Sequence, residues 1–278
     1  MKFSVLGPAG TFADAAAHRY LSTTHQTATI DYHATFEQVY QAVAPDGIGL
    51  LPIENQLDGF VMATLQRLQS ETVTIIGETT IPVNFGLAAQ ADSLSAIKRV
   101  YVQFKTEGQC QKLLSSLPNA EIITTSSNMV SVEKLQHGKP GDAAIIPQSQ
   151  MALNAFPLMR DNVADQLDNF TRFIIFKKSP TTLAANITLE AAVNRFKCPI
   201  FVTPPTDDPG TLYEILGHPK RAQLNLATLM SLPTKQKMGI YSFYIEISGT
   251  TAQLDDLQAM LTEMAGVFTV QPLGVYGL

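Results

Sequence analysis

The stretch FSVLGPAGTFADAAAHRY, residues 3–20, decides the class of fold. Phe3 to Leu6 is a short apolar run of strand type, Gly7-Pro8-Ala9-Gly10 breaks it, and the alanine-rich segment from Ala13 to Tyr20 reads as a helix. A strand that ends in a glycine turn and passes straight into a helix is the unit from which α/β sheets are built. The theme repeats outward. Thr35-Phe36-Glu37-Gln38 has the form of a capping box, with Phe36, Val39, Tyr40 and Val43 on one helical face. Ile48 to Ile53 is a buried-type strand closed by a polar run from Glu54 to Gly59, and Val61 to Leu68 is the next helix. Strands are expected at 73–76, 82–89, 99–102, 122–124, 143–146 and 171–176, with helices near 108–114 and 128–136.

The pattern changes after Lys177-Lys178-Ser179-Pro180. Residues 179–197 read as a connector with some helix. From about residue 198, Asp208 can cap a helix carrying Leu212, Ile215 and Leu216 inward, and 226–229 and 240–248 are strands. Leu254, Leu257, Leu261 and Met264 mark a second helix, and a last strand opens at Val267. The order β-α-β-β-α-β over about 80 residues is the ferredoxin-like unit. The expectation is an α/β region over 1–178 and a small second domain over 198–278.

Composition narrows the function. The 278 residues include 19 Lys+Arg and 24 Asp+Glu, a net charge of -5, and 45% are hydrophobic. That is enough apolar material for about two domains at roughly 150 residues each. The acidic balance, with no basic cluster longer than Lys177-Lys178, argues against a nucleic-acid or anionic-membrane partner. Cys110 and Cys198 form no Cys-x-x-Cys pair, and His18, His25, His33, His137 and His218 have no metal-ligand spacing, so these histidines are expected at the surface or in loops. Residues 1–17 make a poor secretion signal and no run approaches a membrane span, so a cytoplasmic location is expected. P-loop, GxGxxG, nucleophile-elbow and HExxH patterns are absent.

Three polar sets lie beside strand ends, where an α/β fold opens its ligand crevice. Gly7 to Thr11 is a turn whose N–H groups could hold a carboxylate, or a plain structural turn. Glu54-Asn55 follows an apolar strand and could serve a site or cap the next segment. Thr171-Arg172-Phe173 opens another apolar strand; an arginine there could pair with a substrate carboxylate, or with Asp165 or Asp168 as a structural ion pair.

Together, and in this order, the segments GPAGTF (7–12), PIEN (52–55) and NFTRF (169–173) resemble those of the prephenate dehydratase family. The resemblance extends to Gly77-Glu78, Gln109-Cys110 and Asp165. In the C-terminal region, Pro209 to Tyr213, Asn225-Leu226, Tyr241, Phe243 and Leu273-Gly274 are similar to a regulatory ACT domain. It implies a two-lobed catalytic region like a periplasmic binding protein, with lobes at about 1–77 with 160–178 and at 78–159. It implies the loss of CO2 and water from prephenate to give phenylpyruvate, driven by aromatisation and without a cofactor or metal.

Residue by residue, the resemblance makes Thr171 the hydrogen-bonding or acid group at the departing hydroxyl and gives Arg172 a carboxylate to hold. Asn55 and Gln109 would contact substrate, with Glu54 in support. Gly10 and Thr11 would receive the side-chain carboxylate, and Phe173 would form an apolar floor. Gly210, Thr211, Leu212, Asn225 and Leu226 would bind a phenylalanine effector between two ACT domains, in a homodimer or homotetramer. Departures from the family pattern are Gln56 after PIEN, Val102-Gln103-Phe104 in place of Ser-His-Pro, and Met230 and Leu232 in place of a charged pair. The last change predicts weakened phenylalanine control. Arogenate as substrate, or a non-catalytic aromatic-metabolite sensor, are the alternatives these departures leave.

Overall fold

The computed structural model describes residues 1–179, 193–206, 208–234 and 239–278. The opening strand–turn–helix is present as β1 (Lys2–Leu6) and α1 (Phe12–Thr23), with Thr11 capping the helix by accepting from the Asp14 N–H. β2 (Thr29–His33), α2 (Phe36–Ala42), β3 (Ile48–Asn55), β4 (Gly59–Phe60), α3 (Met62–Ser70) and β5 (Thr74–Pro82) complete the outward half of the first lobe. β2 is missing from the sequence reading because its alternation of Thr29, Ile30, Asp31, Tyr32 and His33 is too polar to stand out. It is a sheet edge, paired on one side only.

The chain then crosses to a second lobe. This holds β6 (Phe85–Ala89), β7 (Arg99–Gln103), α4 (Phe104–Gln109), α5 (Gln111–Ser115), β8 (Glu121–Thr125), α6 (Asn128–Gln136), β9 (Asp142–Pro147), α7 (Gln148–Met151) and β10 (Leu158–Arg160). It returns to the first lobe as β11 (Phe170–Lys177), inserted between β3 and β5 in the order β2-β1-β3-β11-β5. The second sheet runs β10-β6-β9-β7-β8. The strand expected over 82–89 is β6 from Phe85 onward, while its first residue, Pro82, ends β5 in the other lobe. β5 pairs with β11 as far as Pro82, which moves the lobe boundary from about residue 77 to residues 83–84. The two crossings are tied together where the Val83 N–H donates to the Asn169 carbonyl at 2.8 Å.

The C-terminal domain consists of β12 (Arg195–Thr203), α8 (Thr211–Arg221), β13 (Asn225–Pro233), β14 (Tyr241–Thr250), α9 (Leu254–Ala265), β15 (Thr269–Pro272) and β16 (Tyr276–Gly277). Its sheet order β13-β14-β12-β15 is that of the ferredoxin-like unit, which begins at Arg195 rather than at 198. The cap of α8 is Gly210 and not Asp208, whose carbonyl instead accepts from the Thr211 N–H. His218, expected at the surface, is buried on α8 against Phe268. The helix expected within the connector falls on residues 180–192, outside the described residues. Among the described residues no helix is long and apolar enough to cross a membrane.

Strand alternation distributes the cores. One face of the first sheet packs Phe3, Val5, Leu50, Phe173 and Ile175 under α1. The other face packs Leu51, Ile53, Ile75, Ile174 and Phe176 against Phe201, Leu232, Tyr244, Leu273 and Tyr276 of the C-terminal domain. The far side of the C-terminal sheet packs Ile200, Val202, Ile245 and Ile247 under α8 and α9. Each large apolar side chain buried in the shared layer contributes roughly 1.5–3 kcal/mol, so the C-terminal domain is welded to the first lobe. Gly274 allows the closest approach. It lies at φ +123°, and a Cβ there would sit 2.3 Å from the Ile75 carbonyl oxygen.

Candidate active site

The carboxyl end of β3 and the start of β11 lie side by side, with Asn55 opposite Thr171 and Glu54 opposite Arg172. Asn55 is 9% exposed. Its Oδ1 accepts from the Leu57 and Asp58 N–H groups at 3.0 and 2.9 Å, which fixes the orientation of the amide. Its Nδ2 therefore faces β11, donating to Thr171 Oγ1 at 2.9 Å and to Asn169 Oδ1 at 2.8 Å. Asn169, 1% exposed, passes the chain on by donating to Gln109 Oε1 at 3.2 Å. Gln109 belongs to the second lobe, and its Nε2 reaches back to Asp58 Oδ1 at 3.4 Å. Thr171, Asn55 and Gln109, widely separated in sequence, thus meet in one polar chain across the lobes. Asn169 was missed as a site residue, although it is the first letter of the NFTRF segment.

Beside this chain a groove of about 800 Å³ opens between the lobes, lined among others by Asp58, Phe104, Lys105, Gln109 and Asp165. Lys105 is the cation among its lining residues and lies 3.5 Å from Asp58. Cys110 and Cys198 are both buried and unpaired. Burial pushes both thiols up to about 12, aided at Cys110 by Asp165, so neither is a nucleophile at neutral pH. Among the described residues no group of His, Cys, Asp and Glu could hold a metal ion.

The Gly10–Thr11 turn lies at the junction of the lobes. The Gly10 carbonyl accepts from Gln150 Nε2 of α7 at 3.1 Å, and Phe12 meets Phe85 edge to face at 5.5 Å. Thr11 Oγ1 is engaged in capping α1 and in donating to the Leu6 carbonyl, and the Gly10 N–H donates to Asp14. What the turn still offers is the amino end of α1, whose partial positive charge suits a carboxylate. Gly10 lies at φ +85°, and an added Cβ would meet Gln150 Nε2 at 2.4 Å. Gly10→Ala should therefore cost roughly 1–2 kcal/mol in thermal melts and raise KM for the substrate. Wild-type values for both would show that the turn does not shape the site.

Arg172 and Glu54 depart from expectation. A strand turns successive side chains to opposite faces, so Arg172 leaves the sheet on the side away from Thr171. There it donates to Glu54 at 2.9 Å, to Glu78 at 3.0 Å and to Glu246 of the C-terminal domain at 2.8 Å. It is 12% exposed and already fully engaged by carboxylates, so it is not the substrate's carboxylate partner in this arrangement, and Glu54 belongs to the same cluster. Phe173 is 2% exposed within the core under α1, supporting the site from beneath rather than lining it.

The residues expected to bind an effector divide in two. Gly210, Thr211 and Leu212 begin α8, whereas Asn225 and Leu226 follow its far end. The rest of α8, from Tyr213 to Arg221, separates the groups by about 14 Å, so one chain alone does not close a pocket around both. Met230 and Leu232 pack into the layer shared with the first lobe.

The prephenate dehydratase family model matches residues 3–181 of this two-lobed region. The chain belongs to the prephenate dehydratase family. It is 28% identical to the bifunctional chorismate mutase/prephenate dehydratase of Aquifex aeolicus over 257 residues, covering 90% of this chain and 66% of that protein. It is 25% identical to the prephenate dehydratase of Methanocaldococcus jannaschii, covering 90% and 89% of the two chains. The crystal structure of the Arthrobacter aurescens prephenate dehydratase in complex with L-Phe superposes with a TM-score of 0.81 at 28% identity, covering all of this chain and 90% of the other. The reaction is the decarboxylating dehydration of prephenate to phenylpyruvate, a step of phenylalanine biosynthesis.

Proposed function

We propose that Thr171 protonates or hydrogen-bonds the departing ring hydroxyl of prephenate. The observation that carries this is the Asn55 amide donating to Thr171 Oγ1 at 2.9 Å. With its oxygen acting as acceptor and the amide orientation fixed, the threonine's own hydrogen is left to be donated elsewhere. In the reaction the bond to the ring carboxylate breaks and its electron pair enters the ring. The bond to the hydroxyl oxygen breaks with its pair, and that oxygen leaves as water, with one proton taken up from solvent per turnover. A threonine hydroxyl is a weak acid in water, so its effect depends on fixed placement in a cleft that excludes solvent.

With Arg172 engaged elsewhere, the substrate's carboxylates are received by the amino end of α1 and by Lys105, and Gln109 orients the ring side of the substrate. L-Phenylalanine acts as effector at Gly210–Leu212 of one subunit and Asn225–Leu226 of another, in a homodimer or homotetramer. The L-Phe complex of the Arthrobacter protein supports that ligand. The two separated half-sites support the second copy. A cytoplasmic location fits the two free thiols.

The test is conversion of prephenate by the purified chain, with phenylpyruvate and CO2 measured in parallel. Equal amounts of both are expected, and prephenate recovered unchanged, or arogenate turned over in preference, would overturn the assignment. L-Phenylalanine should bind this chain more weakly than it binds the Arthrobacter protein, because Met230 and Leu232 are apolar. Equal or tighter binding would refute that part.

A further inference from the structure

The neighbour of the proposed proton donor is held by the regulatory domain. Arg172 donates through Nη1 to Glu246 Oε1 at 2.8 Å and to Glu78 Oε2 at 3.0 Å, and through Nη2 and Nε to Glu54 Oε2 at 2.9 and 3.2 Å. Glu246 lies on β14, is 1% exposed, and is oriented by Tyr244 Oη at 2.8 Å and Thr228 Oγ1 at 3.0 Å. Lys197 of β12 donates to both oxygens of Glu78 at 2.9 and 2.8 Å, and Tyr276 Oη donates to one of them at 2.9 Å. Three carboxylates and two cations, from the first lobe and the C-terminal domain, therefore converge beneath Thr171. A guanidinium held by three carboxylates at once has few alternative geometries. The irregularity in β11–β3 register falls between Arg172 and Phe173, where β11 stays in regular register with β5, so it is the placement of Thr171 against Asn55 of β3 that the ladder fixes least.

We propose that Arg172 is a positioning residue, clamped by Glu246 of the C-terminal domain, and that this clamp holds β11 so that Thr171 meets Asn55 and the substrate. The C-terminal domain then completes the catalytic site of its own chain. The proposal rests on the reading of Thr171 as proton donor. It also gives a route for control, since Thr228, which holds Glu246, is three residues along β13 from Asn225 of the effector site.

Glu246→Gln, which keeps shape and removes charge, should lower kcat for prephenate by about 10- to 100-fold with KM changed by less than about twofold. Arg172→Lys, which keeps charge and loses the fork, should do the same. Adding Glu246→Gln to Thr171→Ala should lower kcat no further, a result that a purely structural role would not give. An increase in KM on Arg172→Lys with kcat intact would overturn the proposal by making Arg172 a substrate ligand. Wild-type kcat in Glu246→Gln would overturn it too. Should Glu246→Gln fail to fold, Thr228→Val removes one of its supports and should lower kcat in the same direction; unchanged kcat there counts against the clamp. Thr171→Ala with full activity would instead remove the reading of Thr171 itself.

Discussion

Thr171→Ala is expected to lower kcat for prephenate by about 10²- to 10⁴-fold, the usual range for loss of a positioned proton donor. The fold should barely respond. Thr171 is half-buried and loses one hydrogen bond, from Asn55, which is worth about 1 kcal/mol. KM should stay near its wild-type value, because the carboxylate contacts proposed at α1 and Lys105 do not involve the hydroxyl. The split matters: lower kcat at constant KM marks an interaction made in the transition state, whereas a rise in KM alone would make Thr171 a binding residue. Steady-state rates and thermal melts on the same preparation read both quantities.

Arg172→Ala should have the largest effect on stability, roughly 3–5 kcal/mol, because it leaves Glu54, Glu78 and Glu246 facing one another with only Lys197 between them. Burial works against the charge on Arg172, but the carboxylates of Glu246 and Glu78 more than offset it and raise its pKa. The same balance acts on Glu78. Burial would raise its pKa, but Lys197 and Arg172 overcome that and hold it below the ordinary 4.5. A depressed carboxylate contributes stability above its unfolded pKa and loses that contribution as pH falls through its folded value. The wild type should therefore lose stability below pH 4.5, and the gap to Arg172→Ala should narrow there. Denaturant unfolding of both proteins across this range checks the sign; a gap that widens in acid would contradict the cluster's role.

Much of this fold follows from short-range features. The apolar run at 3–6 with its glycine turn, the run at 48–53 and the β-α-β-β-α-β order after residue 195 each stand in the structure as strands and helices of the expected kind. The site was half legible. Asn55, Gln109 and Thr171 come together, whereas Glu54 and Arg172 turn away, and the period-two rule applied to Glu54-Asn55 and Thr171-Arg172 would have separated them. What no local pattern could supply is long-range partnership. Glu246 meets Arg172 across 74 residues, and Asn55 meets Asn169 across 114. Likewise a polar edge strand such as β2 gives little periodic signal, because none of its five residues is fully buried and so neither face demands an apolar row.

The most direct test of the central claim is the rate of phenylpyruvate formation per folded enzyme for wild type, Thr171→Ser and Thr171→Val. Serine keeps the hydroxyl and valine replaces it with a methyl of nearly the same shape. Serine should retain activity within about tenfold of wild type, and valine should fall with alanine by orders of magnitude. Valine turning over prephenate at the wild-type rate would contradict the account, because the proton would then come from another group.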